Sequence, residues 1–241
     1  MSALALRTIA CICMILDHVG FCFKIPILRY IGRLAFPIYV FLMVNGFRYT
    51  KNRVRYGLRL ALFAVLSQIP FTLMCYNRIF DSRMNVMVTL LLGLLVIWAG
   101  ETMRQHKQLR YIWFLPALLI YGACCFGLIQ ADYDKKGILM AVVFWYFYDK
   151  KLWMILGTFL SIWLHYILYM GFAFLWGREV APPTLWQMAQ TLAVLALPLI
   201  FLYNDRPGKL PESTVGKKTV QYAFYWFYPV HMLILWFLFL R

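Results

Sequence analysis

Residues 8–23 read TIACICMILDHVGFCF, and the fold turns on how this stretch is taken. A helix crossing a bilayer needs about 20 largely apolar residues, and this run, extended back to Leu4, supplies them. Only Asp17 and His18 interrupt it, side by side about six residues from its end. One Arg precedes the run, and no clear small-x-small cleavage site follows it. It reads as a retained first helix, not a removed signal peptide.

The rest of the chain repeats the pattern. Of 241 residues, 63% are apolar and 14% charged, with a mean hydropathy of +0.71. Soluble domains hold roughly 45–50% apolar and about 25% charged residues, so a soluble fold is excluded, and so is disorder. Apolar segments fall near 4–23, 32–47, 56–76, 84–100, 111–130, 137–148, 152–176, 184–203 and 219–240. This predicts an all-α, polytopic transmembrane bundle of about nine spans, with eight to ten as the range, in one membrane domain over 1–241. The second and sixth segments are short: tilted, extended into their flanks, or re-entrant. The polar stretch Asn204 to Lys218 reads as an extramembrane loop. No internal repeat is evident.

The net charge of +15 has two readings, a nucleic-acid partner or the loop bias of membrane proteins. The charges form short clusters between apolar runs, with no basic tail, which favours the bilayer as partner and no nucleic acid. With nine spans, fifteen of the basic residues fall with the N-terminus and the even loops, including Arg48, Lys51, Arg53, Arg55 and Arg59. Nine fall with the odd loops and Arg241. The positive-inside rule then places the N-terminus in the cytoplasm, Arg241 outside, and the chain in the cytoplasmic membrane. The six cysteines show no CxxC pair or metal-ligand spacing, so they read as small buried hydrophobes and no metal is expected. The many aromatics, 19% of the chain, suit membrane interfaces.

Ionisable groups inside spans are costly and are functional candidates by default. Asp17 and His18 point about 100° apart on a helix, so they do not simply pair. One faces a polar cavity and the other a partner helix. A histidine there can take a proton near neutral pH, or it can hydrogen-bond another helix for packing. Arg33 opens the second segment in Gly32-Arg33-Leu34-Ala35-Phe36-Pro37. Its guanidinium suits a carboxylate, phosphate or oxyanion, and an interfacial anchor is the plainer alternative. Asp132 opens the sixth segment, where a solvated loop is the alternative, and Asn85 opens the fourth. One membrane face thus gathers Asp17, His18, Arg33, Asn85 and Asp132. In the last segment, His231 follows Pro229 and reads as a functional candidate or as a packing histidine. His165 carries the same two readings.

Taken together, these residues resemble the TraX family of integral membrane proteins. The likeness is carried by Ile15-Leu16-Asp17-His18-Val19-Gly20 and by Gly32-Arg33-Leu34-Ala35-Phe36-Pro37. It continues in Ser67-Gln68-Ile69-Pro70-Phe71, Asn85-Val86, Ala131-Asp132-Tyr133 and Phe227-Tyr228-Pro229-Val230-His231. More distantly the chain is similar to membrane acyltransferases of the acyltransferase-3 type, which carry a histidine late in the first helix and another in the last. The family is named for acetylation of the pilin N-terminus, with other acceptors among its members.

The resemblance implies acetyl transfer from acetyl-CoA to an amine or hydroxyl of a small-molecule, glycan or peptide acceptor. His18 would be general base, oriented by Asp17 or Asp132, and Arg33 would hold the oxyanion or a CoA phosphate. Asn85, Tyr133, Tyr228 and His231 would contact substrate, and Arg48, Arg53, Arg55 and Arg59 would take the CoA phosphates. A tunnel would have to join that basic loop to His18. Relatives carry Glu in place of Asn45, and some in place of Gln68. That departure concentrates acid–base work on Asp17, His18 and Asp132. Two other classes stay open: a small proton-coupled transporter or export component, for which a homodimer would supply a second half, and a structural partner in membrane assembly.

Overall fold

A computed structural model of the protein describes residues 1–179, 181–209, 211 and 213–239. Among these, every regular element is helical, and the sole β-bridge joins Met84 to Ala131. Helix α1 (Ala3–Cys22) starts where the Ser2 side chain accepts a hydrogen bond from the Ala5 amide. The chain reverses through Lys24, in the left-handed region at φ 56°. Pro26 then opens α2 (Pro26–Gly32), a place where its missing N–H costs nothing. Helix α3 (Ala35–Tyr49) continues the same apolar stretch.

Asn52 caps α4 (Arg53–Leu66). At Ser67 the chain bends by 40° into α5 (Gln68–Tyr76), where Pro70 has no N–H to give back to Leu66. Helix α6 (Val86–Gln105) is capped by Asn85. Helices α7 (Leu115–Cys125) and α8 (Asp134–Tyr146) are short, and α9 (Lys151–Leu175) is long. Helix α10 (Leu185–Ala189) passes through a 3₁₀ stretch, Gln190–Ala196, into α11 (Leu197–Phe201), and α12 (Thr214–Phe239) closes the fold.

The bundle therefore has fewer full-length spans than the nine expected. Among the described residues five helices are long and apolar enough to cross a membrane, and the bent α4–α5 pair makes six. The apolar runs near 111–130 and 137–148 hold helices of 11 and 13 residues, because Pro116 and the turns at Phe126 and Phe147 cut them short. The run near 184–203 is broken into α10, the 3₁₀ stretch and α11. The last helix starts earlier than expected, at Thr214, so Lys217 and Lys218 are helical. Leu240 and Arg241 lie outside the described residues.

Side-chain contacts nonetheless define two ends. The site end carries the close of α1, α2, and the starts of α3, α6 and α8. The basic end carries the N-terminus, the end of α3, the start of α4, and the ends of α6 and α8. Met1 and Ala3 are tied there to the backbone of Leu202 and Arg206. Helix α8 packs against α6, α9, α7 and α3, with Ile138, Ala141 and Phe144 sealed in the core. Apolar side chains such as Leu62, Val65, Leu156 and Phe172 face outward, which lipid tolerates and water would not.

Candidate functional site

The α1–α2 hairpin sets the first layer of the site. A Cβ on Gly32 would stand 2.3 Å from Asp17 Cβ, so only glycine lets the helices close at this point. That closure sets Arg33 on the last turns of α1. Arg33 is 6% exposed, and its Nη2 lies 2.5 Å from Asp17 Oδ1. Its Nε donates to the Arg29 carbonyl at 3.3 Å and its Nη1 to Gln190 Oε1 at 3.4 Å. Arg29 is also near Asp17, at 3.8 Å. Both guanidiniums lie over the Trp186 ring, at 3.9 Å for Arg29 and 4.9 Å for Arg33. Arg33 is a buried, paired charge and not an interfacial anchor. Three of the five N–H groups of its guanidinium are thereby used.

Asp17 is committed to Arg33 and does not orient His18. That partner comes from the other end of the chain. His18 Nδ1 lies 2.7 Å from His231 Nε2, with the ring planes within 10°. His231 Nδ1 lies 2.7 Å from the Phe227 carbonyl. A carbonyl can only accept, so Nδ1 of His231 holds its proton and Nε2 is bare. Nε2 then accepts from His18 Nδ1–H, and His18 Nε2 is left with its lone pair. It makes no hydrogen bond among the described residues. His231 is 8% exposed, and Tyr228, 4% exposed, packs one turn away from it.

Asp132 does not reach His18 either. The Met84–Ala131 bridge ties the loop before α8 to the loop before α6, with Asp132 N donating to Met84 O at 2.8 Å. Thr89 donates to the Asp132 carbonyl, and Asp132 Oδ1 accepts from the Tyr133 amide at 3.1 Å. Tyr133 and Asp134 both hold positive φ, 62° and 41°, an uncommon backbone state that neighbouring contacts must hold in place. Tyr133 stacks on Phe36 at 3.7 Å. Asp132 opens onto a cavity of about 310 Å³ shared with Arg83, Tyr133 and Asp134. Desolvation by the surrounding protein pushes its carboxyl up to about 6, against the pull of Arg33.

Asn85, expected to bind substrate, is instead a structural node. It is fully buried and caps α6 through Met87 N. Its amide donates to Ala64 O at 2.7 Å and to Gln68 Oε1 at 2.8 Å. Gln68 in turn donates to Arg83 O at 2.7 Å. Asn45 lies at the basic end, accepting from Tyr148 at 2.5 Å and donating to Tyr203 at 3.1 Å. Neither Asn45 nor Gln68 hydrogen-bonds to His18. His165 is exposed on α9.

The basic end holds a second cavity, of about 520 Å³, lined by Arg48, Arg53, Glu101, Arg104, Gln105 and Trp145. Arg55 is exposed outside it. Arg59 lies by the Tyr56 ring, 5.6 Å away, with its Nε buried and unpartnered. The four arginines expected to act together are therefore split, and Arg104 joins two of them. The two cavities share no lining residue, and neither is lined by His18. Sequence reasoning missed Arg29, Glu101, Arg104 and Trp186. The first repeats Arg33 one turn earlier, and Glu101 lies one residue past the apolar segment near 84–100.

A family model described as TraX protein matches residues 2–239. The probable fimbrial assembly protein FimC, serogroup H1, of Dichelobacter nodosus is 27% identical over 252 residues, covering 97% of this chain and 94% of that one. GPI mannosyltransferase 3 of Candida albicans (strain SC5314 / ATCC MYA-2876) is 30% identical over 119 residues, 49% of this chain and 24% of that protein. No solved structure matches.

Proposed function

The chain belongs to the TraX family, and on that premise we propose that it is a membrane acetyltransferase. It moves an acetyl group from acetyl-CoA to an amine or hydroxyl, with His18 as general base. The family's association with pilin acetylation and the fimbrial-assembly name of one relative support a protein or peptide acceptor among others. The observation that carries the reading is the His18–His231 hydrogen bond, which leaves His18 Nε2 as a bare base held in one orientation.

The acceptor's N–H or O–H donates to His18 Nε2. As its heteroatom bonds to the thioester carbonyl carbon, the proton passes to Nε2. His18 becomes cationic, and its Nδ1–H bond to His231 strengthens because it is now charge-assisted. Charge that develops on the carbonyl oxygen is met by the Arg33 guanidinium, two of whose N–H groups remain unused. Collapse breaks the C–S bond, and the CoA thiolate leaves with the proton from His18. A positioned base of this kind contributes about 10²–10⁴ in rate.

The basic end carries the N-terminus together with Arg48, Lys51, Arg53, Arg104 and Lys151. The positive-inside rule supports a cytoplasmic N-terminus in the plasma membrane, with His18 toward the far face. The test is transfer of labelled acetyl from acetyl-CoA to a panel of amines and sugars by the purified protein. Loss of transfer in His18→Ala is the expected result. Transfer at the unaltered rate would refute the role of His18, and CoA-insensitive proton uptake into liposomes would refute the enzyme reading.

A further inference from the structure

Resting on the acyl-transfer reading, we infer that Arg29 binds an acidic group of the acceptor, a carboxylate or phosphate, beside His18. The acceptor class narrows to amines or alcohols that carry an oxyanion.

Arg29 is positioned by three elements and left without a hydrogen-bond partner. Gly20 of α1 makes room for it, since a Cβ there would meet Arg29 Cγ at 2.9 Å. Its guanidinium lies 3.9 Å over the Trp186 ring of α10 and 5.2 Å over that of Phe21 in α1. A guanidinium held against a ring keeps its in-plane donors available, and their fork matches the oxygens of a carboxylate or phosphate. Here Nε is buried with no partner. Asp17 Oδ1 stands 3.8 Å from it, beyond hydrogen-bond reach. That oxygen is already taken by Arg33 Nη2.

The two guanidiniums therefore share one acid. Among the described residues no other carboxylate forms an ion pair with either, and Asp132 acts on them only at longer range. A guanidinium short of a partner in such a site is costly, and an arriving oxyanion supplies the partner. Arg33 keeps its two free N–H groups for the thioester carbonyl oxygen, so Arg29 is the cation left for a second anion. Both lie within electrostatic reach of the His18 ring, so one small acceptor can meet Arg29 and the base together. The acceptor, and not the acyl donor, brings this anion. Arg29 sits at the site end with 28% of its side chain exposed, whereas acetyl-CoA, on the topology proposed above, is available at the basic end.

The experiment compares acceptors that differ in the anion. The protein in phosphatidylcholine nanodiscs is given labelled acetyl-CoA with 3-aminopropanoate or propylamine, and with 3-hydroxypropanoate or 1-propanol. A further arm, 3-aminopropylphosphonate, separates phosphate-like from carboxylate chemistry. The acidic member of a pair is expected to show a KM lower by about tenfold or more, as for a charge-assisted hydrogen bond. Arg29→Gln should erase that advantage and leave the KM for acetyl-CoA unchanged. Asp17 keeps Arg33 in this variant, so the hairpin stays closed. Trp186→Leu should lose about threefold. Arg78→Ala, which removes an exposed arginine at the same end, should behave as the unaltered protein does. Equal KM values for acidic and neutral acceptors overturn the inference. So does a raised KM for acetyl-CoA in Arg29→Gln, which would give the anion to the donor.

Failure of the premise looks different. Calorimetric titration with 3-aminopropylphosphonate, in the absence of acetyl-CoA, should show the same loss in Arg29→Gln. That pattern, with no acetyl released from acetyl-CoA to any acceptor, keeps the anion site and refutes acyl transfer. Equal binding by Arg29→Gln and Arg78→Ala refutes the site. Disappearance of the titration in phosphatidylglycerol nanodiscs would make Arg29 a lipid contact and overturn its assignment to the acceptor.

Discussion

His231 Nε2 accepts from His18 Nδ1 across 213 positions of sequence, at 2.7 Å, and so occupies the place a carboxylate holds behind the histidine of a hydrolytic triad. A neutral imidazole orients the base without adding a charge to a buried site, where an unpaired carboxylate would be costly. His231→Gln can still present an oxygen to His18, whereas His231→Leu cannot. Transfer is expected to fall about tenfold in the first and about 10³-fold in the second, comparable with losing a triad's orienting group. Equal rates in both variants, with both folded by thermal melting, would make His231 a packing residue.

The buried ion pair between Asp17 and Arg33 has its own signature. The side chains are 15% and 7% exposed, so removing one partner strands the other charge. Asp17→Asn is expected to cost about 3–5 kcal/mol of stability, measured by unfolding in mild detergent. Asp17→Asn with Arg33→Gln should recover part of that loss, because no lone charge remains. Additive losses in the double variant would show that the two groups do not act as a pair.

Much of this site was legible in the sequence, because charge inside an apolar run has few explanations. Asp17, His18, Arg33 and Asp132 stood out, and the structure gathers them at one end of the bundle. Their pairing was not legible. Which helix faces Asp17 depends on the Gly32 contact, and which group faces His18 depends on how α12 packs against α1. The count of nine spans is not matched by full-length helices among the described residues, for a related reason. Hydropathy measures how apolar a run is, and breaks such as the 3₁₀ stretch at Gln190–Ala196 leave it unchanged. At roughly 2.0 Å per residue, such a stretch reaches farther than an α-helix of the same length.

Asp132 predicts a pH dependence. Its carboxyl is raised from 3.8 to about 6, so the fold disfavours its charged form. Between those values the folded protein binds more protons than the unfolded chain, and stability falls as pH rises. Asp132→Asn removes the ionisation. The variant should melt higher than the unaltered protein at pH 8, and the gap should shrink steadily toward pH 4. A gap that stays constant with pH would show that Asp132 ionises as it does in water.

The hydrogen bonds of Gln68 suit an amide at its place. Its oxygen accepts from Asn85 N and Nδ2, at 3.1 and 2.8 Å, while its nitrogen donates to Arg83 O at 2.7 Å. A carboxylate could keep the first two bonds, but it has no hydrogen for the third and would face the carbonyl of Arg83. Gln68→Glu should therefore cost about 0.5–1.5 kcal/mol at pH 8, the net worth of one hydrogen bond whose acceptor can turn to water. Protonating the new side chain restores a donor, so the loss should narrow at low pH. Because His18 draws its orientation from His231, the added acid should not raise acetyl transfer. A rise in turnover at pH 8 would show instead that a carboxylate at this position takes part in moving the proton.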